Sequence, residues 1–148
     1  MMKAADFFTR EQKQQITDAI KNAELNTSGE IRVHVEMDCN EDVLDRAAFW
    51  FEKLKMHKTE LRNGVLFYLS INDRKFAILG DAGINAVTPE NFWDEIKETV
   101  IGHFKHEAYA RGLSDGIEMA GKALQEHFPY QKDDINELSN DISFGKKN

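Results

Sequence analysis

The chain has 148 residues, 41% hydrophobic and 10% aromatic, with a formal net charge of −7. That length fits one domain with its own core, and the composition argues against wholesale disorder. The 26 acids against 19 bases, with no compact Lys/Arg cluster, exclude a nucleic-acid binder and suit divalent cations.

Thr9 opens TREQ, a capping-box pattern with Gln12 three positions on, and predicts a helix to about Leu25. Ile16, Ala19, Ile20 and Ala23 give that helix one apolar stripe. EIRVHVEM alternates strictly and predicts a strand. Ile31, Val33, Val35 and Met37 form its dry face, and Glu30, Arg32, His34 and Glu36 its polar one. A strand so patterned belongs at a sheet edge or under half a cover, with His34 exposed or partly buried. EDVLDRAAFWFEKLKM reads as a helix buried along Val43, Ala47, Trp50, Phe51 and Leu54, with Phe49 off that stripe. GVLFYLSI is apolar on both faces, as a central strand covered by helices should be. Asn72-Asp73 then reads as a two-residue hairpin loop, and RKFAILG returns antiparallel. Thr88-Pro89 predicts the start of a helix with Phe92, Trp93, Ile96, Val100 and Phe104 inward. A last helix over about 107–127 carries Gly112, Gly116 and Gly121, which signal close packing. The domain is expected over 1–128. The polar stretch 129–148 is expected as a mobile tail or a strap laid on the surface.

The order α-β-α-β-β-α-α implies a right-handed parallel crossover and then a hairpin. The expected fold is α/β, a three-layer α/β/α sandwich around a small mixed sheet. Connectivity then has a consequence for chemistry. The N-terminal ends of the two parallel strands and the C-terminal end of the third share one rim. Glu30, Asn63 and Asp81 meet there, two carboxylates and an amide suited to Ca²⁺ or Mg²⁺. The competing local reading is that Asp81 and Asn63, each beside or near glycine, only shape turns.

RNGVLFYLSINDRKFAILGDAGI, then ENFWDEI, then FKHEAYARGLSDGI, resembles the TPM domain family over roughly Thr9 to Phe128. The resemblance implies an α/β/α sandwich, association with divalent cations and, in some members, weak acid phosphatase activity. It points to the same loops, with Glu30, Asn63 and Asp81 as metal-ligand candidates. Many members carry Gly-Tyr-Gly where this chain has Asp81-Ala82-Gly83, and many are exported with a C-terminal anchor.

Other constellations are weaker. His103 and His106 lie three apart with no third ligand in view, which reads as helix-end histidines. CNEDVLDR places Arg46 one position beyond a Cys-x5-Arg phosphatase loop, so Cys39 is not a nucleophile candidate. As the one cysteine it also rules out an internal disulfide. The acidic DDINE at 133–137 lacks the spacing of an EF-hand. With no leader core at the N-terminus and no apolar run of spanning length, the protein is expected to be cytoplasmic and monomeric. The function read from these features is divalent-cation binding, with a metal-dependent phosphomonoesterase activity as its catalytic extension. The alternative is a non-catalytic module for an unknown protein partner, in which metal only steadies loops.

Overall fold

In the computed structural model, which describes residues 2–131 and 136–145, every predicted strand forms and a further one joins them. Helix α1 (Arg10–Ala23) begins with the expected capping box, in which Gln12 N donates to Thr9 Oγ1 and Thr9 N to Gln12 Oε1. Strand β1 (Glu30–Glu36) follows, then α2 (Val43–Lys53), β2 (Gly64–Ser70) and β3 (Lys75–Gly80). A single helical turn, α3 (Ala82–Asn85), precedes α4 (Asp94–Phe104) and α5 (Tyr109–Leu124), and β4 (Ser143–Phe144) ends the order. The sheet runs β3-β2-β1-β4, with β1 parallel to both its neighbours and β2 antiparallel to β3.

The fold is the expected sandwich. One face of the sheet presents Val33, Val35, Phe67, Leu69, Phe76 and Ile78 to α1, α4 and α5. The opposite face presents Leu66, Tyr68 and Ala77 to α2, whose Ala47 and Phe51 are buried against them. Every residue of β2 is buried, as its two-sided apolar pattern requires.

Several local expectations change. The hairpin uses Ile71 to Arg74 rather than two residues, because Ser70 pairs with Lys75 and Arg74 takes a left-handed φ of 52°. Helix α4 starts at Asp94, not at Pro89. Thr88 Oγ1 instead donates back to Ile84 O, closing the preceding segment rather than opening a helix. Strand β1 is not an edge, and its polar face is not half open. Glu30, His34 and Glu36 are all buried, and residues 136–145 supply the missing cover. That segment buries Leu138 beside Met56 and Leu66. It then pairs Ser143 with His34 and Phe144 with Val35. Most of DDINE, residues 133–135, lies outside the described residues.

The glycines of α5 explain themselves. A Cβ on Gly121 would stand 2.7 Å from Ala23 Cβ and 2.8 Å from Ala23 Cα, so α1 and α5 touch backbone to backbone. A Cβ on Gly116 would stand 2.4 Å from Val100 Cγ2, on α4. Gly102, within α4, has nothing within 4 Å of that position. Gly121→Ala is therefore expected to lower the unfolding free energy in urea by about 1–3 kcal/mol through overpacking. Gly102→Ala should raise it by about 0.5–1 kcal/mol through helix propensity alone. Equal effects from the two would contradict the close α1–α5 contact.

Candidate cation site at the strand rim

Pairing of Glu30 with Gly64 and of Val65 with Gly80 sets the starts of β1 and β2 beside the end of β3. Glu30 N donates to Asn63 O at 3.2 Å, and Asp81 N to Gly64 O at 3.0 Å. Glu30, Asn63 and Asp81 thus occupy one rim, as connectivity predicts. The loop after β3 is drawn in further by Gly83, whose N–H donates to Arg62 O at 2.9 Å. A side chain there is sterically impossible without moving backbone, since a Cβ would fall 2.2 Å from Leu61 O.

The three side chains have different local duties. Asp81 caps α3, accepting from Ala82 N at 2.7 Å. It also takes Arg62 in a two-pronged pair, Nε at 2.8 Å and Nη2 at 2.9 Å. Arg62 sits at φ 51° with its side chain half exposed, so the pair forms a lip of the rim. Asn63 Nδ2 donates to Ser28 O at 3.2 Å, lashing the entry of β1 to that of β2. Glu30 lies inward at 4% exposure, and its Oε1 accepts from Leu138 N at 2.7 Å.

Two further carboxylates lie near Glu30: Glu24, which the sequence reading does not include, and Glu137, the last residue of the DDINE stretch that it weighed only as an EF-hand. Glu24, at the end of α1, accepts from Ile31 N at 3.2 Å. Glu137, on the C-terminal strap, accepts from Glu60 N at 3.3 Å. Burial pushes the carboxyls of Glu24 and Glu30 each up to about 7. Backbone N–H donors pull the other way, from Ile31 onto Glu24 and from Leu138 and Glu137 onto Glu30. Each also feels a like charge, Glu24 from Glu30 and Glu30 from Glu137. Among the described residues, no ion pair neutralises Glu24, Glu30 or Glu137. Beside them opens a cleft of about 100 Å³ whose lining includes Glu24, Gly29, Glu30, Tyr130 and Asn136. Glu24 was legible only as the last acid before a helix stop, and Glu137 belongs to a segment over a hundred residues away in sequence.

The donor set is all oxygen, which fits Ca²⁺ or Mg²⁺ better than a thiolate- or imidazole-seeking metal. Among the described residues, no three His, Cys, Asp or Glu side chains are already gathered in the way that holds an ion. An ion here would complete its shell with carbonyls, amide oxygens and water.

The family described as the TPM domain matches residues 1–123. The chain belongs to the TPM domain family. This TPM domain is also similar to the BA42 protein of the psychrophilic bacterium Bizionia argentinensis, whose structure was determined by NMR. The two are 50% identical with a TM-score of 0.91, over 98% of this chain and 100% of that one. It shares its fold with the N-terminal domain of a P. gingivalis protein, at 19% identity and a TM-score of 0.69, over 84% and 80% of the two chains. The N-terminal domain of the cg2496 protein of Corynebacterium glutamicum shares it too, at 11% identity and a TM-score of 0.61, over 95% and 82%. No curated protein matches the chain.

The remaining constellations of the TPM domain resolve structurally. His103 Nε2 lies 3.0 Å from Asp115 Oδ2, joining α4 to α5. Cys39 is buried, its Sγ donating to Glu41 O at 3.2 Å and its backbone N–H bonded to the Asp73 carboxylate. His34 is fully buried, stacked on Trp50 at 3.8 Å, with Nδ1 2.9 Å from Ser143 Oγ. Burial drives its imidazole down to about 3, so it is neutral. Among the described residues, no helix is long and apolar enough to cross a membrane.

The raised carboxyl of Glu30 has a signed consequence. Its folded value, about 7, exceeds the ordinary value of 4.5, so the folded state keeps a proton that the unfolded state releases. The stability this gives is complete below about 4.5 and is lost as pH climbs through 7. His34 acts oppositely, adding stability as pH rises toward 6.5. A comparison with Glu30→Gln reads that carboxyl together with its effect on Glu24. In chelator, wild type is expected to lose about 2 kcal/mol relative to that variant between pH 5 and pH 8. Parallel urea-unfolding profiles for the two proteins would contradict it.

Proposed function

We propose that this TPM domain binds a divalent cation, Ca²⁺ or Mg²⁺, at the rim where β1, β2 and β3 meet. The observation that carries the reading is Glu30. It is a buried carboxylate with Glu24 and Glu137 beside it and no basic partner among the described residues. A cation supplies the charge that desolvation makes costly to leave alone. Asn63 contributes from the adjoining loop. Asp81 contributes on the far side, but only by sharing its oxygens with Arg62. Glu30 is therefore the principal ligand and Asp81 the secondary one.

Phosphomonoester hydrolysis is the catalytic extension of the same site. The half-exposed Arg62 guanidinium at the rim is a candidate anion clamp, and to hold a substrate it would have to leave its two-pronged pair with Asp81. A bound ion would polarise a phosphoryl oxygen and acidify a water there, while this chain's Arg62 holds the anion. Without turnover, the domain is a binding module whose loops the ion steadies.

Calorimetric titration with Ca²⁺ and with Mg²⁺ tests the proposal. Glu30→Gln is expected to weaken binding at least tenfold and Asp81→Asn by less, while amide shifts on Ca²⁺ addition cluster at residues 24–30, 63–64 and 80–83. Unchanged affinity in both variants would sink the site. Hydrolysis of p-nitrophenyl phosphate that tracks the metal and disappears in Arg62→Ala would establish catalysis. Metal binding without such turnover would leave the module reading.

A further inference from the structure

The sheet has two edges, and the chain treats them differently. One is β4, two residues long, laid along β1 by the strap. The other is β3, six residues long, which pairs with β2 and has no strand on its outer side. The register says which of its groups face outward. Asp81 N donates to Gly64 O, the next pair after Gly80 and Val65, and bonded pairs alternate along an antiparallel ladder. Leu79, Ala77 and Lys75 therefore bond to β2, while Phe76 and Ile78 turn their N–H and C=O away from the sheet. Among the described residues, no hydrogen bond reaches those four outward groups. Unpaired main-chain groups persist where water reaches them, so this edge is open and ready to pair.

The side chains beside the edge define what fits. An apolar groove of about 280 Å³ is lined by Ala48, Phe51 and Glu52 of α2, by His57 and by Leu79. Leu66, opposite Leu79 on β2, is fully buried and takes no part in that lining, so the groove lies on the outer side of Leu79. Lys75, Ala77 and Leu79 share the α2 face of the strand, as alternate residues do. Lys75 forms no ion pair among the described residues, and its Nζ donates to Glu41 O at 3.4 Å. A strand added antiparallel exchanges two bonds with Ile78 and two with Phe76. Its residue opposite Leu79 meets Ala48 and Phe51, which calls for an apolar side chain. Four places on, its residue opposite Lys75 meets an ammonium without a carboxylate partner, which calls for an acid.

We propose that β3 takes an extended segment of a partner protein as an added antiparallel strand. An apolar side chain of that segment sits in the α2 groove, and a carboxylate four residues later lies opposite Lys75. Main-chain pairing supplies affinity, and the two side chains supply specificity. This goes beyond the metal reading, uses none of its ligands and does not depend on it.

The test uses the whole chain in chelator and the peptide acetyl-Ser-Leu-Val-Ala-Val-Glu-Ser-amide. One control is N-methylated at both valines, and another has lysine for glutamate. NMR titration with the parent peptide is expected to move the amides of Lys75 to Gly80 and the methyls of Ala48 and Leu79. The valines fall opposite Ile78 and Phe76, so N-methylation removes two main-chain bonds and should weaken binding about tenfold. The lysine peptide should bind about threefold more weakly than the parent. Lys75→Glu changes a partly exposed residue, so the fold should hold, and it should reverse that preference. Equal affinity for the parent and N-methylated peptides would overturn the proposal, as would no shift at millimolar peptide. So would shifts centred on the Glu24 and Glu30 cleft, or Phe76 and Ile78 amides that move with protein concentration alone, the mark of a second copy on the edge. Calorimetry with Ca²⁺ reads the cation site separately, so loss of metal binding and loss of peptide binding are distinct results.

Discussion

Glu36 sits at the end of β1 and accepts four hydrogen bonds within the protein. Arg46 supplies two, at 2.8 Å each, Trp50 Nε1 one at 3.0 Å, and Tyr68 OH one at 2.7 Å. Burial alone would raise its carboxyl, but Arg46 and Tyr68 outweigh that and hold it below its ordinary value. The arrangement fixes α2 on the sheet. That helix buries Ala47 and Phe51 and packs Val43, Trp50 and Leu54 more loosely against the same cluster. The fork of Arg46 and the indole of Trp50 supply the direction that packing leaves open. Trp50 in turn stacks on His34, so the next polar residue of β1 is sealed by the same helix. Removing one partner would leave a charge in a dry place, which is more damaging than never having had the pair.

That hub also explains what was legible in the chain and what was not. Periodicity located α1, α2, α5 and the first three strands, because their apolar residues recur at the spacing each structure requires. It misjudged the other face of β1. Glu30, Arg32, His34 and Glu36 look like a solvent face, since alternation reports polarity and not the partners that allow polarity to be buried. Those partners come from Arg46, Trp50, Tyr68 and the strap, all distant in sequence. The strap itself has few large apolar residues. Its attachment depends on Leu138 and a two-residue strand, too short to leave a periodic mark. The rim, by contrast, followed from topology alone. Strand direction fixes which loops are neighbours whatever their side chains do.

The two halves of the rim differ in how charge is handled. On the β3 side, Asp81 has its guanidinium and a helix turn to cap, so the local reading of that aspartate as a turn former is correct as far as it goes. On the β1 side, Glu30 feels Glu137 of the strap, Glu24 at the end of α1 feels Glu30, and no ion pair among the described residues offsets them. Electrostatic frustration of this kind is rare in a stable core and common where a ligand completes the structure. The glycines of the rim serve that geometry, Gly83 by letting two loops touch and Gly29 because a Cβ there would stand 3.1 Å from Leu124 Cδ1.

The position of β4 bears on how the molecule is made. Its contact with β1 joins residues 109 apart in sequence, His34 and Ser143. Translation delivers β1 early and β4 after every other element. For most of synthesis, the β1 edge of the nascent sheet is without its β4 partner. In that interval the edge is a template for any other extended chain. The strap is thus a late-arriving guard against intermolecular pairing, and its two short strand residues owe their importance to when they act.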